Sequence, residues 1–270
     1  MPVAADPFTH TLANWSTQFS REVDHKLEVP PEQQQLVFTR VRQALTDAGL
    51  STETAQTFVV IDRAPMVQAA FVLLLSPSNG WQWLGATAVS TGKPGSFEHF
   101  LSPIGVFVHS PDNPDFRAAG TYNSNHIRGY GERGMRVFDF GWQLAERGWG
   151  AGGRSNMRLA MHATDPDRLA QRLGMVASEG CIRIPATLNR FLDVHGVLDA
   201  DYEALASAGQ PQRILRADRQ PLPWPGRYLV IIDSQATERP VWSPLALPEP
   251  QQSTAVSAPG SSHQPGKKPR

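Results

Sequence analysis

Residues 158–185, with the sequence RLAMHATDPDRLAQRLGMVASEGCIRIP, place a histidine and a cysteine within one short stretch. The apolar run that ends at His162 predicts a strand. Fourteen residues separate Ala163 from Ser178, enough for one short helix that would bring the two strand ends together. Cys181 is the only cysteine in 270 residues. A base and a thiol in this arrangement predict a reaction centre.

Length and composition favour a β-rich globular protein. The chain is 40% hydrophobic and contains 23 prolines and 22 glycines, which indicates many turns and short strands. Lys+Arg and Asp+Glu are both 25, a balance that argues against a nucleic-acid-binding protein. No apolar run reaches the ~18 residues of a membrane-spanning helix, so we expect no integral membrane segment. A single cysteine excludes an internal disulfide framework.

Hydrophobic periodicity divides the chain into three parts. Residues 1–56 contain two helical patterns and are predicted to be an N-terminal helical extension. Residues 57–233 are predicted to form a β-rich α+β catalytic domain with short helices. Residues 234–270, rich in Pro, Ser and Gln, are predicted to be a disordered tail. The predicted helices are 8–27, 32–48, 166–173, 185–194 and 200–208, and the predicted strands are 58–62, 67–75, 81–90, 104–109, 135–142, 157–162 and 227–233, with a long loop at 110–134.

The residues around Cys181 suit a nucleophile better than a buried structural cysteine. A free thiol has a pKa of ~8.5 and needs a nearby base or cation to react at neutral pH. His162 can act as the base, and Arg183 adds a positive charge. Gly180 permits a tight turn and would leave its own N–H and that of Cys181 free to stabilise an oxyanion. Ser178 could hydrogen-bond within the loop.

The same residues resemble a known family. His–Ala, a spacer of fourteen residues and then Ser–Glu–Gly–Cys–Ile–Arg resemble the signature of the L,D-transpeptidase (YkuD) catalytic domain. Two upstream segments, Val–Ser–Thr–Gly–Lys at 89–93 and Ser–Pro–Ile–Gly–Val–Phe at 102–107, are similar to strand-turn segments that precede the site in that family. The resemblance covers roughly residues 57–194, and its three motifs occur in the family's order.

The resemblance implies a fold, a reaction and a location. The fold would be an L,D-transpeptidase-like β-sandwich or barrel. Cys181 would attack a peptidoglycan stem peptide after its third residue, usually diaminopimelate, form a thioester and release D-alanine. His162 would be the general base, oriented by a backbone carbonyl at or near Ala163. Arg183 could bind a substrate carboxylate, and Ser178 and Ala163 are further candidate substrate-binding residues. The protein would act in the periplasm or cell envelope, although residues 1–7 lack the features of a signal peptide.

No metal or organic cofactor is expected. His99, His109 and His126 have neither the close spacing nor the carboxylate neighbours of a zinc site, and they fit loop positions better. The Ser90–Lys93 segment matches the S-x-x-K pattern of serine penicillin-binding enzymes only formally, because it follows a strand and lacks the S-D-N and K-T-G partners.

Two positions depart from the family pattern. Glu179 stands where many members have a second histidine, and Ala163 replaces the usual glycine. A carboxylate beside the nucleophile would raise the thiol pKa unless Arg183 neutralises it. Two alternatives therefore stay open beside transpeptidation: a carboxypeptidase that uses water as the acceptor, and a cell-wall-binding domain that has lost catalysis. The sequence leaves the amine acceptor undefined.

Overall fold

The structure, a computed structural model, describes residues 7–51 and 53–244 and is a mixed α+β fold with two sheets. The described residues form four helices: α1 Pro7–Glu22, α2 Pro31–Asp47, α3 Ala186–Val194 and α4 Ala200–Ser207. They form nine strands: β1 Gln56–Asp62, β2 Ala69–Ser76, β3 Gly80–Ala88, β4 Gly105–Val108, β5 Phe116–Arg117, β6 Arg136–Glu146, β7 Arg154–Ala163, β8 Ile182–Ile184 and β9 Tyr228–Ile232. This confirms a β-rich α+β protein and is compatible with a β-sandwich.

The larger sheet has five strands in the order β3-β2-β1-β9-β4. Strands β1 and β9 are parallel, and the other neighbours are antiparallel. Every residue of β2 is buried, because this sheet is covered on both faces. One face packs against the smaller sheet together with α1 and α3. The other face packs against α2, including Val41 and Leu45.

The smaller sheet has four strands in the order β5-β6-β7-β8. Its β6–β7 hairpin is antiparallel, whereas β7 and β8 are parallel. Phe138 and Phe140 on β6 and Leu159 and Met161 on β7 point into the core between the two sheets. Because successive side chains of a strand point to opposite faces, these residues, two positions apart, lie on the same face of the sheet.

The N-terminal helices pack directly on the larger sheet. Phe19 of α1 is buried, and a Cβ placed on Gly85 of β3 would come 2.1 Å from its ring. Only glycine therefore permits this close contact between helix and strand. α2 begins with Pro31 at its first turn and is followed by Gly49 with φ of +67°, the punctuation expected from the sequence.

Two predictions on the outline of the fold were wrong. The predicted helix 166–173 is replaced by loop and a short 3-10 turn, Ala170–Arg172. Asp165, just before this segment, accepts hydrogen bonds from the N–H of Asp167 and from the backbone N–H and the guanidinium of Arg128. The predicted disordered tail, 234–270, also begins too early in the sequence. Trp242 packs against the larger sheet and Ser243 is buried, so the folded part of the chain extends beyond residue 233. Residues 245–270 of that tail lie outside the described residues.

Candidate active site

The parallel pairing of β7 and β8 brings the predicted base and nucleophile to one place. Met161 pairs with Ile182, and His162 pairs with Arg183. Cys181 therefore precedes the strand that lies directly beside the end of β7. Both His162 and Cys181 line the same open cleft of about 390 Å³. The segment that connects His162 and Cys181 is a loop and not the predicted helix, and it still brings the two residues together.

His162 is buried and held in one orientation. Its Nδ1 lies 2.9 Å from the carbonyl oxygen of Ala163, which accepts the Nδ1–H hydrogen bond and leaves Nε2 as the basic nitrogen. The ring of Tyr130 packs edge-to-face against the imidazole, with centroids 4.8 Å apart. Burial lowers the pKa of His162 to about 4, so the imidazole is neutral at pH 7.

Cys181 is partly buried and is held in the protonated form. Its Sγ lies 3.8 Å from the carbonyl oxygen of Arg158. Burial raises the pKa of the thiol, and the carboxylate of Glu179 acts in the same direction. Arg183 opposes this rise without cancelling it. A neutral imidazole and a neutral thiol therefore occupy the resting site.

The loop before Cys181 is fixed by its own hydrogen bonds. Ser178 Oγ donates to the carbonyl of Cys181 at 2.6 Å, which confirms the predicted bond within the loop. The same Oγ accepts the N–H of Gly180 at 3.1 Å. The expectation that the Gly180 N–H is free for an oxyanion was therefore wrong. Gly180 has φ of +133°, and a Cβ there would come 2.9 Å from the sulfur of Met157.

The two upstream segments meet this loop. The N–H of Ser90 donates to the carbonyl of Arg183, and the N–H of Arg183 donates back to the carbonyl of Ser90, both at 2.9 Å. Ser102 Oγ donates to the carbonyl of Gly180 at 2.6 Å and accepts the N–H of Gly92 at 3.0 Å. The three separated motifs thus surround one site.

Of the two remaining predicted site residues, Arg183 faces the cleft and Ala163 does not. Arg183 lines the cleft and donates through Nη1 to the carbonyl of Ala177 at 2.9 Å. Ala163 was predicted to contact substrate, but its side chain is fully buried. Its carbonyl instead orients His162, in the position that the family resemblance implied.

The cleft also contains residues that the sequence motifs did not single out. Arg172 comes from the 3-10 turn, and Arg128 and Tyr130 come from the loop at 121–131. Asp165 fastens that loop: its Oδ2 accepts the N–H of Arg128 at 2.8 Å. Arg128 and Tyr130 are far from Cys181 in sequence, and none of the three residues follows a periodic pattern.

His109 lies directly after β4, in a connecting segment as predicted. It is fully buried, with Nδ1 2.9 Å from the carbonyl of Leu198 and Nε2 2.9 Å from Asp115. Within residues 7–51 and 53–244, no three His, Cys, Asp or Glu side chains are arranged to hold a metal ion. None of the helices formed by these residues is long and apolar enough to cross a membrane.

No protein-family model matches the chain, and no curated protein is significantly similar to it.

Proposed function

We propose that this protein is a cysteine acyltransferase of the L,D-transpeptidase type that acts on peptidoglycan stem peptides. The observation that carries the proposal is the pairing of β7 with β8. This pairing sets a carbonyl-oriented neutral histidine, His162, and the only cysteine, Cys181, in one open cleft. The substrate class comes from the family resemblance of the three motifs around that cleft.

In the proposed reaction, the Sγ of Cys181 attacks the carbonyl carbon of the third stem residue while Nε2 of His162 takes the thiol proton. The tetrahedral intermediate collapses, and the imidazolium returns the proton to the amine of the departing D-alanine. A thioester on Cys181 remains. An acceptor amine, deprotonated by the again neutral His162, then attacks the thioester and regenerates the thiol.

The protonation states of the resting site agree with this sequence of steps. The low pKa of His162 and the raised pKa of Cys181 disfavour a preformed thiolate–imidazolium pair. Proton transfer would then accompany attack, with His162 as a general base at neutral pH. The N–H of Cys181 remains a candidate oxyanion donor, since the N–H of Gly180 is bonded to Ser178.

The experiment that tests the proposal uses a carbapenem and tetrapeptide muropeptides, read by intact mass and product analysis. The expected result is a covalent adduct and D-alanine release by the wild-type protein, both absent in Cys181→Ala. New cross-linked product in the presence of an amine indicates transpeptidation, whereas tripeptide alone indicates the carboxypeptidase. Failure of the wild-type protein to form any adduct or release D-alanine would favour the wall-binding domain.

His162→Ala tests the base. We expect adduct formation to slow by roughly 10²-fold or more, because the thiol loses its proton acceptor. The near-UV circular dichroism should match the wild-type spectrum, which separates loss of the base from loss of the fold. A variant with the wild-type rate would remove His162 from the mechanism.

A further inference from the structure

The outer face of the smaller sheet carries exposed apolar side chains beside the candidate site. The inner face, with Phe138 and Leu159, is packed in the core. On the outer face, Trp142 of β6 is 66% exposed and Leu144 is 50% exposed. Outward positions on a solvated strand are ordinarily polar. A tryptophan and a leucine at neighbouring outward positions therefore indicate a surface that binds a ligand.

A polar row on the next strand lies directly opposite these two residues. In the β6–β7 pairing, Trp142 faces Arg158 and Leu144 faces Asn156, and both β7 side chains are exposed. The guanidinium carbon of Arg158 lies 5.9 Å from the centre of the Trp142 ring. Arg158 Nε donates to both carboxylate oxygens of Asp139, at 2.9 and 3.0 Å, which fixes the guanidinium beside the indole. The side chains of Trp142, Leu144, Asn156 and Arg158, here called the hairpin platform, thus combine a flat apolar surface with hydrogen-bond donors.

The hairpin platform is continuous with the reaction centre. The carbonyl oxygen of Arg158 lies 3.8 Å from Cys181 Sγ. Burial raises the pKa of the Cys181 thiol, and the carboxylate of Asp139 adds to this rise, so the carboxylate that holds Arg158 is also near the sulfur. The loop at 121–131 covers the other end of this face, beside His162. A substrate that is held at Cys181 and extends away from that loop would therefore lie on the platform.

We infer that the hairpin platform binds the saccharide to which the stem peptide is attached, and so positions the acyl donor at Cys181. This inference rests on the proposed function for the class of substrate and deepens it by assigning a second binding region. The indole of Trp142 can lie against the apolar C–H face of a sugar ring, while hydroxyl and amide groups of the sugar bind Asn156 and Arg158. Trp142 is the specificity-determining residue.

The face of a sheet suits a sugar better than a peptide strand. A ligand on the face meets side chains, because the backbone hydrogen bonds run within the plane of the sheet. A peptide strand obtains its affinity from such backbone bonds at a sheet edge. A sugar ring, in contrast, can be bound by an aromatic side chain with polar neighbours.

The length of the stem peptide agrees with this placement. The sheet order places β7 between β6 and β8. Two strand spacings amount to about 10 Å, and an extended peptide covers about 3.3–3.6 Å per residue. The two stem residues that precede the third one, together with the linkage to the sugar, are long enough to cross from β8 to β6.

The test measures binding to the Cys181→Ala protein by calorimetry, because this variant cannot turn the ligand over. The ligands are a disaccharide-tetrapeptide muropeptide and the same tetrapeptide without sugar. We expect the disaccharide form to bind about tenfold more tightly, since only this form contacts the platform. Adding Trp142→Ala should reduce this ratio to less than about threefold, whereas Trp142→Phe keeps an aromatic ring and should retain part of it.

Leu144→Ala and Leu36→Ala form a matched pair of variants. Both leucines are exposed, but Leu36 lies on α2, which packs on the larger sheet. Only Leu144→Ala should lower the ratio.

Three results would overturn the inference: equal binding of the two ligands, no measurable binding of either, or a ratio that Trp142→Ala leaves unchanged. An equal loss of affinity for both ligands in Trp142→Ala would also overturn it, because the platform would then bind the peptide. Sugar-dependent binding without any thioester on the wild-type protein would instead overturn the proposed function and leave the platform in place.

Discussion

At the scale of single residues, His162 connects the chemistry of the site with the stability of the fold. The imidazole is almost completely buried and neutral, and its environment favours the uncharged form. An unfolded chain has no such preference, so protonation pulls the equilibrium toward unfolding. The group that we propose as the base is also a point at which acid weakens the protein.

This coupling predicts a pH dependence of stability. The folded-state pKa of His162 is about 4 and the ordinary value is 6.5, so the unfolded chain binds the extra proton between these values. The contribution of the neutral histidine is complete above pH 6.5 and is lost as the pH falls toward 4. Its size is on the order of 3 kcal/mol.

Urea unfolding at several pH values measures this effect, with His162→Gln as the control, because glutamine can still donate to the carbonyl of Ala163. The difference in free energy of unfolding between the two proteins should change across the window from pH 6.5 to 4. Parallel curves for the two proteins would contradict the prediction.

Tyr130 offers a second prediction at the scale of residues. Its ring supports the imidazole of His162 edge-to-face and is supported in turn by Phe116, with centroids 5.6 Å apart. Tyr130→Ala should slow adduct formation by roughly two- to tenfold, since such aromatic pairs contribute about 0.5–1.5 kcal/mol. Tyr130→Phe keeps the ring and should keep the rate. If the phenylalanine variant were as slow as the alanine variant, the hydroxyl rather than the ring would matter.

At the scale of elements, the loop at 121–131 forms one wall of the cleft, and a residue outside the loop holds it in place. Asn123 Oδ1 accepts the N–H groups of Asn125 and Ile127, which shapes the turn. Asp165 binds the following residue, Arg128, through a carboxylate that is completely buried. The position of the wall therefore depends on a residue of the spacer between His162 and Cys181.

Asp165→Asn should loosen this wall. The amide cannot replace both charge-assisted bonds. Weakening a buried pair in this way should lower the stability of the folded loop by about 1–3 kcal/mol. Hydrogen–deuterium exchange should become faster in peptides covering 121–131. Asp167→Asn is the control, because Asp167 binds the same guanidinium with its side chain 61% exposed and should have little effect. Equal exchange in both variants would refute the role of Asp165.

Most elements could be predicted from the sequence because their patterns are local. The β2 pattern is a continuous apolar run, and α2 has its own punctuation, so each was recognised without knowledge of its neighbours. β8 was missed because it has only three residues and exists through its pairing with β7. The segment after Asp165 forms only turns and a short 3-10 helix, and the carboxylate of Asp165 is shared between the N–H of Asp167 and the distant Arg128.

The residues of the candidate site likewise divide into those that the sequence motif predicted and those that it did not. Cys181, His162 and Ser178 lie in one motif and were found from it. The engagement of the Gly180 N–H was not foreseen, because it depends on the rotamer of Ser178. Arg172 and Arg128 reach the cleft only through tertiary contacts, to Ser90 and Asp165 respectively. Long-range contacts of this kind leave no spacing that a single sequence reveals.

At the scale of the whole molecule, a buried ionic cluster joins the β5–β6 side of the smaller sheet to the segment before α4. Arg136 of β6 is fully buried and binds Asp199, just before α4, through two bonds of 2.8 and 2.7 Å. Its Nε binds Asp115 at 2.6 Å, and Asp115 also binds His109. Every charge in this cluster depends on its partners, because none can reach water easily.

Arg136→Met should therefore destabilise the protein by about 3–5 kcal/mol, since it leaves carboxylates buried without a counter-charge. Arg154→Met, at an exposed position on β7, should change stability by less than about 0.5 kcal/mol. Urea unfolding at pH 7 compares the two. A similar small loss in both variants would show that the aspartates are neutralised by other means.

The parallel pairing of β1 with β9 has a consequence for how the protein is made. β1 leaves the ribosome early, whereas β9 emerges only after the second sheet and both later helices. Until then the β1–β2–β3 meander exposes an unpaired apolar edge, which is a hazard for association between nascent chains. β4 in turn has β9 as its partner in the sheet, so its place in the fold also waits for synthesis of that late strand.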